Sequence, residues 1–193
     1  AHDQTFALAY RLAEHAPSAL RTLNIGGGFG IPYFPGETRL DLAPVAANLA
    51  ARLPAVREQL QGAAIVIELG RYLVGEAGVY VCRVIDKKVS RGHSYLVVDG
   101  GLHQHLSASG NFGQVIRKNY PVTIGNKAAA GLPTEQVSVV GPLCTPLDLL
   151  GDKMELAAAE IGDLVVLFQS GAYGFTASPT RFLSHAEPVE VLI

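Results

Sequence analysis

Residues 24–30 have the sequence Asn-Ile-Gly-Gly-Gly-Phe-Gly, and their first two residues end a short segment, residues 22–25, that is typical of a β-strand. Consecutive glycines let the backbone come close to an anion, because no Cβ intervenes and several N–H groups can point at it. The stretch lacks the Gly-Lys-Ser/Thr of a Walker loop and the spacing of the dinucleotide-binding fingerprint. The pattern therefore indicates either a phosphate-binding loop or a plain tight turn after a strand.

The segments around this loop alternate between helix and strand. Apolar residues at helical spacing predict a helix over residues 3–16. A second helix is expected over residues 41–61, with Asp41 as its N-cap and a kink or break at Pro54. Residues 64–68 predict a buried strand. Such alternation is typical of βαβ units with a parallel sheet.

After residue 77 the sequence changes to strand patterns separated by turn residues. Residues 149–161 leave room for a short helix at most. We predict one region over residues 1–76 of the α/β type and a second over residues 77–193 that forms an antiparallel β-barrel or sandwich. The strands predicted in the second region cover residues 79–89, 95–99, 136–140, 164–168 and 189–193.

The composition excludes several classes of protein. The chain has 193 residues, 49% of them hydrophobic and 17% charged, and a formal net charge of −2. The sequence has no Lys/Arg-rich run that would indicate a nucleic-acid partner. It also has no apolar stretch long enough to span a membrane. Cys82 and Cys144 are too few for a disulfide scaffold, and with no signal-peptide pattern we expect a cytoplasmic protein. Because the chain opens directly into a helical pattern, we interpret it as part of a larger protein.

An acidic and a basic residue end the second predicted strand. Residues 68–71 have the sequence Glu-Leu-Gly-Arg. The carboxyl ends of parallel strands are where α/β barrels place their active sites. Arg71 offers a bidentate group for phosphate or carboxylate. The alternative is a structural ion pair at the rim of the barrel.

Two further candidates lie in glycine-containing loops of the second region. Cys144 stands in residues 141–148, a loop rich in Pro and Gly, and is either a chemical thiol or a buried structural one. Tyr173 lies between glycines at positions 171 and 174, where its hydroxyl could reach a phosphate oxygen. His103 and His105 would share one face of a strand, but no third ligand has suitable spacing, so we expect no metal site.

Taken in order, these segments resemble the fold-type III decarboxylases that depend on pyridoxal 5'-phosphate (PLP), which include diaminopimelate, ornithine and arginine decarboxylases. The family binds the cofactor phosphate with a glycine run after a barrel strand, and Gly26, Gly27 and Gly28 match that run. The resemblance implies an eight-stranded α/β (TIM-type) barrel followed by a C-terminal β-domain. Residues 1–76 would then be the last βα units of a truncated PLP-binding barrel.

The same resemblance gives roles to the other candidates. The family's Glu-Pro-Gly-Arg segment matches residues 68–71, which implies that Glu68 pairs with the pyridine nitrogen and that Gly70 and Arg71 contact the phosphate. The family's Gly-Pro-x-Cys loop implies that Cys144 is catalytic and enters the active site of a partner subunit. Its Gly-Ala-Tyr segment implies that Tyr173 lies at the cofactor phosphate. A thiol supplied across an interface implies a homodimer.

The lysine with which the family binds PLP covalently lies on an early barrel strand, and no lysine here matches it. We therefore expect the C-terminal part of an amino-acid decarboxylase, inactive alone and without covalently bound PLP, with neither nucleic acid nor a membrane as partner. The lysines of the chain are Lys87, Lys88, Lys118, Lys127 and Lys153.

Two departures from the family pattern affect the interpretation. Leu69 replaces the proline of the Glu-Pro-Gly-Arg segment. Thr145 stands where diaminopimelate and ornithine decarboxylases have an acidic residue, so we expect a different substrate. Residues 98–122 look most similar to members associated with exosortase and exopolysaccharide gene clusters. Two alternatives remain open: a non-catalytic decarboxylase-like binding or regulatory protein, and a PLP-dependent amino-acid racemase.

Overall fold

The computed structural model describes residues 2–34, 36–127 and 129–193 and forms two compact units. The N-terminal unit consists of Ala1–Ile31 and Thr38–Tyr72, and the C-terminal unit of Pro32–Glu37 and Leu73–Ile193. The chain thus leaves the N-terminal unit after the glycine run, contributes one short segment to the C-terminal unit, and then returns.

The N-terminal unit is a βαβ arrangement preceded by a helix. Strands β1 and β2 are parallel, with Thr22 opposite Ala64 and Asn24 opposite Val66, as the alternating sequence pattern predicts. The elements are α1 (His2–His15), β1 (Thr22–Asn24), α2 (Ala43–Gln59) and β2 (Ala64–Val66), followed by a short helix, α3 (Gly70–Val74).

The core of this unit lies between the two long helices and the strand ends. The apolar stripe of α1 places Phe6 and Ala9 in the interior, where they are 3% and 5% exposed. Val56 of α2 and Ile25 after β1 complete the contact from the other side. Burial of this stripe, rather than helix propensity alone, stabilises α1.

Two details of α2 differ from expectation. The helix is continuous through Pro54, so of the predicted kink or break the break is wrong, whereas the kink stays a prediction; the missing N–H of Pro54 removes one bond of the helix without ending it. The N-cap is Leu42 rather than Asp41, although the Asp41 carboxylate accepts a hydrogen bond from the N–H of Ala43 at 2.9 Å.

The C-terminal unit is a six-stranded sheet in the order β5-β8-β3-β4-β6-β7. Strand β4 pairs with β6 in parallel and the other pairs are antiparallel, so the predicted antiparallel sheet is corrected to a mixed one. The edge strands β5 and β7 contact each other, which makes a nearly closed barrel. The strands are β3 (Tyr80–Ser90), β4 (His93–Val98), β5 (Val122–Ile124), β6 (Thr134–Val140), β7 (Leu149–Ala157) and β8 (Leu164–Leu167).

Three segments of this unit differ from the sequence-based expectation. Leu149–Ala157 is a strand and not a helix, and its register shift at Gly151 opposite Val139 hides the alternation of a regular strand. The short strand β5 has no counterpart among the predicted strands. Residues 189–193 form no strand in the described structure, and Val189 is 86% exposed there. Strand propensity without a neighbouring strand does not suffice.

Segment 32–37 belongs to the C-terminal unit because its aromatic side chains pack against that unit. Tyr33 is 6% exposed, and its ring centroid lies 5.0 Å from that of Tyr120. Lys118 lies over the ring of Phe34 at 5.0 Å and pairs with Glu37 at 3.3 Å. Exposed ion pairs of this kind stabilise weakly, so the buried Tyr33 ring is the main contact.

A buried histidine connects the loop after β4 to the end of β8. His105 is 1% exposed, its Nε2 donates to Ser170 Oγ at 2.8 Å, and its Nδ1 accepts from the N–H of Ala108 at 3.3 Å. Both nitrogens are therefore satisfied by the neutral ring. Burial lowers the pKa of His105 to about 4.

This burial makes stability depend on pH. Below pH 6.5 the unfolded chain binds a proton at His105 that the folded chain does not, so stability falls between pH 6.5 and about 4. We expect His105→Gln to remove on the order of 2 kcal/mol of this pH dependence. Urea unfolding at pH 7 and pH 5 measures it, with the exposed His15→Gln as control. An unchanged pH dependence in His105→Gln would contradict the assignment.

Candidate functional site

The glycine run following β1 combines one close contact with an open face. A Cβ at Gly27 would lie 1.9 Å from the carbonyl oxygen of Glu68, so only glycine fits against the end of β2. Gly26 and Gly28 have φ of +79° and +83°, a conformation that favours glycine. An added Cβ at either would meet no atom within 4 Å, so the backbone is open to a ligand there. This open backbone fits a phosphate group.

Asn24 joins the glycine run to the acidic residue. Its Nδ2 donates to Glu68 Oε1 at 2.6 Å, and its Oδ1 accepts from the N–H of Gly26 at 2.8 Å. The N–H of Glu68 donates in turn to the Gly26 carbonyl oxygen at 2.9 Å. The exposed Glu68 carboxylate is therefore held in one orientation beside the loop. Sequence reasoning quoted Asn24 as part of the motif but gave it no role.

The remaining N-terminal candidates follow directly on Glu68. Gly70 begins the short helix α3, and Arg71 lies in that helix with an exposed side chain. Long helix α2 begins only at Ala43, so it adds no helix dipole to the glycine run. The structure thus brings Gly26–Gly28, Glu68, Gly70 and Arg71 into one unit.

Cys144 has an exposed thiol in the loop between β6 and β7, whereas Cys82 is buried in β3. Burial raises the pKa of the Cys82 thiol, which suits a packing residue. The exposure of Cys144 favours the chemical interpretation over the structural one. Tyr173 and Cys144 belong to the C-terminal unit.

The Cys144 loop is held by a buried carboxylate. Asp148 is 3% exposed and accepts hydrogen bonds from the N–H groups of Leu102 at 2.6 Å and Leu143 at 2.9 Å. An added Cβ at Gly101 or Gly141 would lie 2.4 or 2.2 Å from this carboxylate. The two glycines therefore leave room for Asp148, which fixes the residue next to Cys144.

Tyr173 stands on a strained backbone. Its φ is +58°, it is 41% exposed, and its ring centroid lies 5.6 Å from that of Phe112. A Cβ at Gly171 would lie 1.7 Å from the carbonyl oxygen of Val74, so the loop runs directly against the last residue of α3. A left-handed conformation at a tyrosine is uncommon and is often found at functional sites.

One segment of the loop after β4 contacts both the cysteine and the tyrosine loops. Asn111 Nδ2 donates to the Leu147 carbonyl oxygen in the cysteine loop at 3.1 Å. The next residue, Phe112, contacts Tyr173. Sequence reasoning missed both residues as site elements, although their place between Gly110 and Gly113 marked an irregular loop.

The histidines of this loop serve packing in the structure. His103 is fully buried, with its ring centroid 5.0 Å from that of His185. Within the described ranges, no group of three or more His, Cys, Asp or Glu side chains could hold a metal ion. No helix in the same ranges is long and apolar enough to cross a membrane.

The N-terminal unit thus has an open glycine run beside a held carboxylate, and the C-terminal unit is a nearly closed mixed β-barrel. Residues 15–171 match the family described as pyridoxal-dependent decarboxylase, C-terminal sheet domain. The chain belongs to this family of PLP-dependent ornithine, diaminopimelate and arginine decarboxylases.

Individual relatives agree with this assignment. The L-glutamyl-[BtrI acyl-carrier protein] decarboxylase of Niallia circulans is 39% identical over 97% of this chain and 44% of its own length. Diaminopimelate decarboxylase of Thermoplasma acidophilum is 27% identical over 100% of this chain and 43% of its own. A crystal structure of diaminopimelate decarboxylase has a TM-score of 0.78 and 24% identity over 94% of this chain and 44% of that chain, a likeness of fold. The chain spans about 44% of the length of such relatives.

The contact of Gly27 with the Glu68 carbonyl gives a direct test of the loop geometry. In Gly27→Ala the added Cβ would lie 1.9 Å from the Glu68 carbonyl oxygen, so the glycine run and the end of β2 would have to move apart. We expect the unfolding free energy to fall by about 1–3 kcal/mol. Gly30→Ala is the matched control, because its Cβ would meet no atom within 4 Å. Equal stability of the two variants in denaturant unfolding would show that Gly27 does not pack against the Glu68 carbonyl.

The Asp148 carboxylate should control the reactivity of Cys144. Asp148→Asn turns one acceptor into a donor facing a backbone N–H, and we expect a loss of about 1.5–3 kcal/mol. The Cys144 thiol should then react faster with an aromatic disulfide reagent, because its loop is released. The exposed Asp86→Asn is the control. An unaltered thiol reaction rate in Asp148→Asn would show that the carboxylate does not hold this loop.

Proposed function

We propose that the intact protein is a PLP-dependent amino-acid decarboxylase and that this chain is its C-terminal part. Residues 1–76 would be the last βα units of its barrel, and residues 77–193 its β-domain. The observation that supports this most is the Glu68 carboxylate held by Asn24 at 2.6 Å beside an open glycine run. Family membership supports the same conclusion.

The residues of the N-terminal unit fit the charged parts of the cofactor. The N–H groups of Gly26, Gly27 and Gly28 would bind the phosphate dianion, with Gly70 and Arg71 from the following turn. Glu68 would favour the protonated pyridine nitrogen, because a negative neighbour stabilises the charged form. When bound, PLP supplies an electron sink for the carbanion that loss of CO₂ leaves. Tyr173 would add its hydroxyl as a further phosphate contact.

The thiol of Cys144 would supply the proton that the product carbon needs after CO₂ has left. It is exposed and fixed next to Leu143, whose N–H is held by Asp148 at 2.9 Å. We propose that it donates a proton to the product carbon in the active site of a partner subunit, which makes the enzyme a homodimer. A soluble amino-acid enzyme with two unpaired thiols suits the reducing cytoplasm.

The substrate would be an α-amino acid without a free distal ammonium group. Thr145 stands next to Cys144, and its Oγ1 accepts from the N–H of Leu147 at 3.3 Å. A hydroxyl bonded within its own loop cannot replace a carboxylate as partner for an ammonium group. The names of two relatives give substrates in which an amino acid is joined to another group: a glutamyl group on a carrier protein and an alanin-3-ylcarbamoyl compound. We therefore propose a substrate whose distal end is in amide or thioester linkage.

The chain alone would not carry out the reaction. Its lysines begin at Lys87 in β3, after strands β1 and β2, which we propose to be part of the α/β barrel. The covalent link to the cofactor would come from a lysine of the intact protein outside these 193 residues.

Spectroscopy of the intact protein tests the proposed function. We expect a visible absorption band with PLP, attachment of the cofactor to one upstream lysine after borohydride reduction, and CO₂ release from an amino acid. The isolated 193-residue chain should form no such adduct. A colourless intact protein that releases no CO₂ would refute the proposal and favour a non-catalytic binding protein.

A charge change at residue 145 tests the substrate class. Thr145→Asp should raise kcat/KM for amino acids with a distal ammonium group by about tenfold, the effect of one charged hydrogen bond. Thr145→Asn, which is neutral and of similar size, is the control. A wild-type enzyme that already prefers ornithine or diaminopimelate to their acylated forms would contradict the proposed class.

A further inference from the structure

A cleft of about 520 Å³ in the C-terminal unit is lined by charged groups of both signs. Two cations come from the segment before β5, two carboxylates come from β7, and two apolar side chains add to the lining. All of these groups belong to one unit, because segment 32–37 is part of it. The lining residues include Phe34, Arg117, Lys118, Asp152, Met154 and Glu155.

Arg117 is a partly buried cation without a counter-ion in the described chain. Its Nη1 donates to the Ser109 carbonyl oxygen, whereas its Nε and Nη2 are buried and make no hydrogen bond to any described residue. None of the ion pairs found among those residues includes it. Nε and Nη2 form one edge of the planar guanidinium group, the edge that binds a carboxylate through two parallel hydrogen bonds. Since an unpaired shielded charge is costly, a ligand in the cleft would supply the missing acceptor.

Asp152 offers a charge of the opposite sign on the β7 side of the cleft. Its Oδ1 accepts from Ser138 Oγ at 2.9 Å, and its Oδ2 has no hydrogen-bond partner in the part of the chain that the structure describes. Burial lowers the pKa of Arg117, and the negative charge of Asp152 opposes this effect. The two side chains therefore act on each other electrostatically without forming a direct ion pair.

The spacing between the two sides of the cleft is fixed by a neighbouring amide. Asn119 Nδ2 donates to the Asp152 carbonyl oxygen at 2.7 Å, and the Asp152 N–H donates to Asn119 Oδ1 at 2.9 Å. Asn119 follows Arg117 by two residues, so these two bonds tie the cationic segment to β7. A site of this kind is preorganised, because its charged groups do not have to be brought together by the ligand.

We infer that this cleft binds a small zwitterion, with its carboxylate at Arg117 and its ammonium group at Asp152. Two positive and two negative side chains line the cleft, which disfavours a multiply charged anion such as phosphate. Phe34 and Met154 offer apolar contacts to the carbon chain that separates the two charges. None of these residues has a role in the proposed decarboxylation, so the two proposals are independent.

Isothermal titration of the intact protein tests the site with 4-aminobutyrate and 5-aminopentanoate. Both probes have their charges at opposite ends and lack the α-amino group that the proposed decarboxylation requires. We expect Arg117→Gln to raise the Kd of the tighter probe about tenfold or more, the effect of losing a charged bidentate contact. Arg117→Lys keeps the charge without the two parallel donors, and Asp152→Asn keeps Oδ1 without the charge, so each should also raise this Kd.

Matched controls separate a binding site from a structural arginine. Butyrate, which lacks the ammonium group, should bind about tenfold more weakly than 4-aminobutyrate, and the exposed Arg91→Gln should leave the Kd unchanged. Without ligand, the denaturant midpoint of Arg117→Gln should be unchanged or higher, because an unpaired shielded charge is removed. If Arg117→Gln does not fold, Arg117→Lys and Asp152→Asn decide the question. Wild-type protein that binds neither zwitterion, equal binding of butyrate, or an unchanged Kd in the Arg117 and Asp152 variants overturns the inference.

Discussion

The C-terminal unit depends on one buried carboxylate more than on any other polar group. Asp148 accepts backbone hydrogen bonds from Leu102 and Leu143, which lie in two different loops. Its burial is acceptable only because both bonds are made, since an unpaired buried charge is strongly destabilising. The glycines at 101 and 141 have no Cβ because the carboxylate occupies that space. The order of the loop after β4 and that of the loop that carries Cys144 therefore have a common physical cause.

Close backbone approach is the second constraint, and it occurs beside both parts of the candidate site. In the N-terminal unit Gly27 contacts the Glu68 carbonyl, and in the C-terminal unit Gly171 contacts the Val74 carbonyl. Each contact places a candidate site residue, Glu68 or Tyr173, at or near a point of close backbone packing. In the glycine run, Gly27 is therefore needed for packing, whereas its neighbours Gly26 and Gly28 leave the backbone open.

The sequence predicted the parts of the fold that follow local patterns. The stripe of α1 and the parallel pair β1–β2 are confirmed, because burial of one face follows the period of the element. The parallel pairing of β4 with β6 and the strand nature of β7 depend on distant partners and on a bulge, which no local pattern encodes. Among site residues, the motif glycines and charges stood out by type. Asn24 and Asn111 did not, because ordinary amides become important only through the distant groups they contact.

The chain contributes segment 32–37 to the C-terminal unit before the N-terminal unit is complete, and this affects how chimeras with related proteins can be built. Neither unit is continuous in sequence, so no single cut releases either one whole. A chimera joined at one point within residues 38–72 would combine the Tyr33 ring of one parent with the Tyr120 of the other. A chimera that takes the C-terminal unit from a relative therefore also has to take the six-residue segment Pro32–Glu37 from that relative. Otherwise the residues on both sides of the aromatic contact between Tyr33 and Tyr120 have to be changed together. The C-terminal unit also has to close a loop over residues 38–72, which contain α2 and β2, before its core is complete, and this slows folding relative to local contacts.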